Sequence, residues 1–166
     1  MRAAVLTVST TLAQGEGDDR SGDRLVALAT EAGAEVVAHD VVADDRGAIA
    51  DRLRGYVADD CTLAFTTGGT GLTPDDVTPE ATRDVIDRDA PGFAEAMRQV
   101  AREHTPMGIL SRGVSGIAGG CLIVNFPGNP KAIDECWPVI GPTLRHATGT
   151  LRRVGGRAGG GGHPHG

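Results

Sequence analysis

Aromatic side chains are scarce in this sequence: phenylalanine, tyrosine and tryptophan together make up 3% of 166 residues. A core must therefore be assembled from Val, Leu, Ile and Ala. A surface that grips bases by stacking them would need more rings than this. Lysine is rarer still, with Lys131 standing alone. The formal net charge is −6, which argues against nucleic acid or an anionic membrane as the main partner. Abundant arginine still leaves room for a local cationic pocket. The cysteines are only three, Cys61, Cys121 and Cys136, widely spaced and each in an apolar context. They read as buried reduced thiols of a cytoplasmic protein rather than as disulfides or a zinc site. No apolar run approaches membrane-spanning length, and "MRAAVLTVST" is too brief for a signal peptide.

What is present reads as one globular domain, with 40% apolar and 23% charged residues. Short β-branched runs predict strands at "AAVLTVST", "AEVVAHDVV", "CTLAFTT" and "CLIVNF". Between them lie helical patterns. One has Leu25, Leu28, Ala29 and Ala32 on one face, with Ser21 as its expected cap and Gly33 as its end. Another carries Ile49, Leu53, Tyr56 and Val57, and a third Phe93, Met97 and Val100. Thr78 followed by Pro79 predicts a helix from about 79 to 87, capped by the threonine hydroxyl. A short strand is expected near 108–111. Pro138 and Pro142 should kink or divide the closing helix. The alternation predicts an α/β fold with a mostly parallel sheet and helices on both faces. Residues 1–153 form the expected domain. The Gly- and His-rich stretch 154–166 is low in complexity and is expected to be disordered.

The segment "TTGGTGLTPDDVTPEAT", Thr66 to Thr82, concentrates glycine, hydroxyls and acids at a strand-to-helix junction. Glycines there permit positive φ and close approach of a ligand. Successive free N–H groups form a concavity for phosphate or carboxylate. The spacing fits neither the P-loop nor the dinucleotide fingerprint, and the same glycines would also serve a plain tight turn. Asp75 and Asp76 would repel a phosphate unless a cation sits between, a task for Mg²⁺. One of the pair is equally explained as an acid at a helix start. "FPGNPKA" repeats the strand–turn–helix arrangement, with Asn129 as cap and Pro130 at the first helical position. It suits either a phosphate site or a well-made turn. Asp44, after the second strand, belongs to the same sheet edge, while Asp45 can simply begin the next helix. "LSRG" offers Ser111 and Arg112 to a phosphate. His39, His104 and His146 show no metal-ligand spacing and read as structural or solvent-facing.

Taken in order, "DDRSG", "TTGGTG", "DVTPEAT", "PGFAEAMR", "ILSRGVSGI" and "NFPGNPKAIDEC" resemble the Mog and MoaB proteins of molybdenum cofactor biosynthesis. They also resemble the G domains of gephyrin and its plant counterpart. The resemblance runs from about Ala4 to Ala147. It implies a three-layer α/β/α sandwich and a homo-oligomer, trimer or hexamer. It also implies adenylyl transfer from Mg-ATP to the terminal phosphate of molybdopterin, with a MoeA-type partner inserting molybdate afterwards. By motif, Asp76 and Asp44 are the catalytic and Mg²⁺-holding acids. Thr67, Gly68, Gly69, Thr70 and Gly71, with Ser21 and Gly22, are the nucleotide-binding residues. Ser111, Arg112, Pro127, Gly128, Asn129 and Pro130 are those for molybdopterin. The chain has Thr10 where many members carry an acid, and Asp75 where many carry arginine. The alternative is a MoaB-like molybdopterin-binding protein without adenylyltransferase activity.

Overall fold

The computed structural model describes residues 1–153; the expected disorder of 154–166 lies outside the described residues. Six strands form one sheet in the order β2-β1-β3-β6-β5-β4. They are β1 (Arg2–Val8), β2 (Glu35–Val42), β3 (Leu63–Thr67), β4 (Arg88–Asp89), β5 (Ser115–Ala118) and β6 (Cys121–Phe126). The first four in that order are parallel, β5 is antiparallel to β6, and β4 is antiparallel to β5. The helices are α1 (Thr10–Ala13), α2 (Arg20–Glu31), α3 (Arg46–Ala58), α4 (Thr78–Arg83), α5 (Gly92–His104), α6 (Pro130–Ile140) and α7 (Leu144–Arg152).

Alternation along each central strand explains the layers. Ala3, Val5, Leu63, Phe65, Leu122, Val124 and Phe126 face one core, shared with Leu25, Leu28, Met97 and Ile133 from α2, α5 and α6. Ala4, Leu6, Val8, Ala64 and Ile123 face the other, against Ile49, Leu53 and Tyr56 from α3 and Ala81 from α4. A strand buried on both faces must be apolar at successive positions, which is why these runs lack a polar alternation. Phe65, Phe126 and Trp137 meet in one core, the two phenylalanines edge to face at 5.1 Å. Three of the five rings are thus gathered in one core, while Tyr56 lies in the other.

The expected strands and the α/β class agree with this sheet, and several local expectations need correction. Asp19, not Ser21, caps α2, its side chain accepting from the Gly22 N–H. Thr78 does not cap α4; its hydroxyl donates instead to the carbonyl of Gly68. The helix is also shorter than expected, ending at Arg83. Residues Pro106–Leu110 form a 3-10 turn instead of a strand, because Pro106 fixes φ and the Thr105 hydroxyl accepts from the Met107 N–H. Pro142 divides the closing helix, with a 3-10 turn between α6 and α7, whereas Pro138 is accommodated inside α6.

All three cysteines are free and buried. Burial pushes the Cys121 and Cys136 thiols up to about 12, and raises that of Cys61. Thiols of the unfolded chain ionise near about 8.5. The stability this difference carries is therefore complete below that pH and is lost as pH rises through the folded values. At pH 8 the folded protein should resist iodoacetamide. Mass spectrometry should find these thiols alkylated only after denaturant is added, and rapid native alkylation would contradict the burial.

Candidate functional site

Because β2, β1, β3 and β6 are parallel, Val42, Val8, Thr67 and Phe126 end on one rim. β5 runs the other way, so the residues leading into it, Ser111 to Val114, reach the same rim. In open α/β sheets this edge is where ligands bind.

The turn after β3 is built by close approach. Gly68 and Gly69 have φ of +95° and +71°. A Cβ on Gly68 would lie 2.3 Å from the Val8 carbonyl oxygen, and one on Gly69 2.3 Å from Thr78 Oγ1. Thr78 Oγ1 holds the Gly68 carbonyl at 2.9 Å, and its backbone N–H holds that of Gly69 at 3.1 Å. The turn after β6 touches this one: a Cβ on Gly128 would lie 3.2 Å from Gly68 Cα, and Thr67 Oγ1 donates to the Pro127 carbonyl at 2.7 Å. Ser21, in the first turn of α2, donates to the Gly128 carbonyl at 3.1 Å. Asn129 caps α6 through the Lys131 N–H, as the sequence implied, with Pro130 at the first position. Three chain segments thus close around a cavity of about 350 Å³, lined among others by Ser9, Asp19, Arg20, Ser21, Gly68 and Gly128.

Neither acid lines this cavity; each is tied to a threonine of a neighbouring loop. Asp76 Oδ2 accepts from the Thr73 N–H at 3.1 Å and from Thr73 Oγ1 at 2.8 Å. It also overhangs Gly71, where a Cβ would lie 2.8 Å from the same oxygen. Asp44 Oδ2 accepts from the Thr10 N–H at 3.1 Å and from Thr10 Oγ1 at 2.8 Å. Thr10 therefore anchors Asp44. Asp45 caps α3. Among the described residues no group of three or more His, Cys, Asp or Glu side chains gathers as a metal cage. Asp44 and Asp76 each keep Oδ1 free of hydrogen bonds to the described residues. Each carboxylate thus has one oxygen to offer a Mg²⁺ ion, which takes one or two carboxylates and completes its shell with water and phosphate.

Ser111 and Arg112 divide their roles. Ser111 lines, with Pro127 and Asn125, a smaller cleft of about 60 Å³ between α5 and α6. Arg112 turns to the glycine loop. Its Nε donates to the Gly71 carbonyl at 2.8 Å, Nη2 to the Asp76 carbonyl at 2.7 Å, and Nη1 to both oxygens of Glu80 at 3.0 Å. Its backbone N–H reaches the Thr70 carbonyl at 2.8 Å. The guanidinium offered by the sequence to a phosphate thus clamps the loop that carries Asp76. Lysine lacks the planar fork needed to hold these acceptors together. Arg112→Lys should therefore loosen this loop and lower the melting temperature by about 2–4 °C, the loss of about 1 kcal/mol of hydrogen bonding, as calorimetric melting would show.

Asn125 is a supporting residue that the sequence reading passed over. In the buried strand β6, its Nδ2 donates to Thr66 Oγ1 at 2.9 Å and to Thr82 Oγ1 at 3.0 Å, and its Oδ1 accepts from the Val114 N–H at 3.0 Å. This network ties β3, α4 and the entry to β5 behind the glycine turn. The available signal was an amide within "CLIVNF", since a buried polar side chain requires partners.

Residues 4–146 match the family model described as a probable molybdopterin binding domain. The chain is 37% identical over 143 residues to the molybdopterin adenylyltransferase of Helicobacter pylori strain J99, covering 84% of this chain and 81% of that protein. It is 39% identical over 145 residues to the molybdenum cofactor synthesis protein cinnamon of Drosophila melanogaster. That match covers 86% of this chain but only 24% of the longer relative. The crystal structure of the molybdopterin biosynthesis enzyme MoaB from Thermus thermophilus superposes with a TM-score of 0.84 at 41% identity, covering 90% of this chain and 95% of that one. With the parallel rim, the paired glycine turns and a match across nearly the whole described chain, this protein belongs to the molybdopterin-binding domain family of molybdenum cofactor biosynthesis.

Proposed function

We propose that the protein transfers the adenylyl group of Mg-ATP to the terminal phosphate of molybdopterin, releasing pyrophosphate. The observation that carries this reading is the contact between the Gly68 and Gly128 turns beside the first turn of α2. Two phosphate-bearing substrates need two anion-binding turns near one another, and the contact between these two glycine turns supports that reading. An oxygen of the molybdopterin phosphate forms the new bond to the α-phosphorus, the bond to the β-phosphate oxygen breaks, and pyrophosphate leaves with that oxygen. Such a step asks the protein for positioning and charge neutralisation rather than covalent chemistry. Residues Thr67 to Gly71, with Ser21 and Gly22, hold the nucleotide. Pro127 to Pro130 hold the molybdopterin phosphate, and Ser111 lies beside the cleft next to them. Arg112 contributes by fixing the glycine loop. Asp76 and Asp44 hold Mg²⁺, which when bound screens the phosphates from the acids and from one another.

The assay is direct. Purified protein, Mg-ATP and molybdopterin should yield adenylylated molybdopterin and pyrophosphate in equal amounts, followed by chromatography and a coupled phosphate assay. A second reading, molybdopterin binding without transfer, is favoured by the charges at the cavity. Glu16, Asp18 and Asp19 line it against Arg20 alone, and Arg112 is engaged with Glu80. Tight binding of molybdopterin with no pyrophosphate release would select that reading.

Self-association, as a trimer or hexamer, is part of the proposal. Leu72, Met107 and Ile109 are each more than 60% exposed, on segments joined by Arg112, and they offer apolar surface to a second copy. Light scattering would give the mass. A reducing cytoplasmic setting suits the three buried thiols, and the product would pass to a MoeA-type enzyme for molybdate insertion.

A further inference from the structure

His39 was read from the sequence as structural or solvent-facing, yet it stands within a polar cluster that underlies the cavity. It lies on β2, in register with Val5 of β1. Its Nε2 is 2.8 Å from Asp19 Oδ2. The same oxygen accepts from Thr7 Oγ1 at 2.7 Å, and the other carboxylate oxygen accepts from the Gly22 N–H at 2.9 Å. These atoms converge beneath one backbone position: a Cβ on Gly22 would lie 2.3 Å from Asp19 Oδ2 and 2.4 Å from both His39 Nε2 and Thr7 Oγ1. Only a glycine lets the first turn of α2 settle onto them. The Asp19 side chain is 15% exposed and that of His39 27%, so the contact is partly shielded from water. A hydrogen bond to a charged acceptor is worth more there than on an open surface. On its far side His39 Nδ1 faces Asp23 at 3.9 Å.

We infer that His39 is a positioning residue for the nucleotide: through Asp19 it fixes where the first turn of α2 presents Arg20 and Ser21 to the cavity. The chain of contacts is continuous. His39 holds Asp19, Asp19 holds the Gly22 N–H, and Ser21 beside it holds the Gly128 carbonyl on the opposite wall. Thr7 and Asp19 themselves line the cavity, whereas His39 acts from behind them. Loss of its hydrogen bond leaves Asp19 with Thr7 alone on that oxygen and lets the carboxylate turn. The α2 start then loses its fixed distance to Gly128. Affinity for the nucleotide falls, while the bonds of Asp44 to Thr10 and of Asp76 to Thr73 are untouched. Glutamine at position 39 carries an amide N–H that can donate to Asp19 in place of Nε2, so it preserves the contact. Phenylalanine fills similar space without a donor.

The inference rests on the nucleotide site proposed above, and titration calorimetry separates the two. The full chain and its His39→Ala, His39→Phe and His39→Gln variants are titrated with Mg-ATP, with melting curves as a check on folding. His39→Ala and His39→Phe should weaken Mg-ATP binding by about 5- to 10-fold, the loss of one charge-assisted hydrogen bond. His39→Gln should stay within about twofold of the parent. Equal affinity in all four proteins overturns the role of His39 and leaves the nucleotide site standing. Equal weakening in the glutamine variant also overturns it, since the hydrogen bond would not be the cause. A loss that merely follows the unfolded fraction assigns His39 to stability alone and likewise overturns it. No binding by the parent chain removes the nucleotide site, and the inference with it.

Discussion

Replacing Asp76 by asparagine is expected to lower adenylyl transfer by about a hundred- to a thousand-fold, the usual scale when one electrostatic element of such a site is removed. The substitution is conservative for the fold. Asn Oδ1 can still accept from the Thr73 N–H and Oγ1, the two partners that Asp76 Oδ2 has now. The Asp76 carbonyl stays in the grip of Arg112, because that contact is to the backbone. What disappears is the negative charge that the proposed function assigns to Mg²⁺. The melting temperature should therefore be close to that of the parent while turnover collapses. Single-turnover measurement of adenylylated molybdopterin is the check. Near-normal turnover in Asp76→Asn would remove this residue from the chemistry and place the metal elsewhere.

Gly68→Ala should be strongly destabilising. The residue has φ of +95°, and the new Cβ would meet the Val8 carbonyl oxygen at 2.3 Å. Neither party can swing aside, because both belong to the backbone at the ends of adjacent parallel strands. A positive φ on a residue with a side chain and a forced displacement of strand ends together cost about 3 kcal/mol. For a domain of this size that lowers the melting temperature by about 6–12 °C. The Gly128 turn, in contact with Gly68, should shift as well, so binding of Mg-ATP and of molybdopterin should both weaken. Gly149→Ala supplies the contrast. It lies in α7, and a Cβ there meets nothing within 4 Å. That variant should gain up to about 1 kcal/mol from helix propensity. Calorimetric melting of both variants tests the pair. Equal melting temperatures would show that the turn is not under the steric constraint described.

The central strands and the long helices were legible in the sequence for a physical reason. β1, β3 and β6 are buried on both faces, and such strands are written as short continuous apolar runs. The helices pack one face, and the sequence repeats their apolar residues at helical spacing. What escaped was short or contested. β4 has two residues, Arg88 and Asp89, and two residues carry no period. The stretch before β5 is apolar enough to resemble a strand, but Pro106 and the Thr105 hydroxyl commit it to a 3-10 turn. At the start of α2, Asp19 and Ser21 are both good caps by type. Asp19 takes the position because Thr7 and His39, from two strands, hold its carboxylate. Local chemistry offered both choices, and contacts distant in sequence made the selection.

The same division applies to the site. The sequence by itself determined that two glycine turns and two acidic loops would meet on one edge of a sheet. Parallel strands with helical crossovers must end together, and the residues after each strand are fixed by the chain. Only the tertiary structure decided which polar groups face the ligand and which hold the frame. Thr78, Ser21 and Arg112 all carry donors suited to phosphate, yet each is engaged with a backbone carbonyl of a turn. Those carbonyls lie beyond the strand ends, where the sheet offers no partner, and a partly buried acceptor left unmade is costly. Which side chain satisfies it depends on loops brought together from separate parts of the chain, and no local pattern records that meeting.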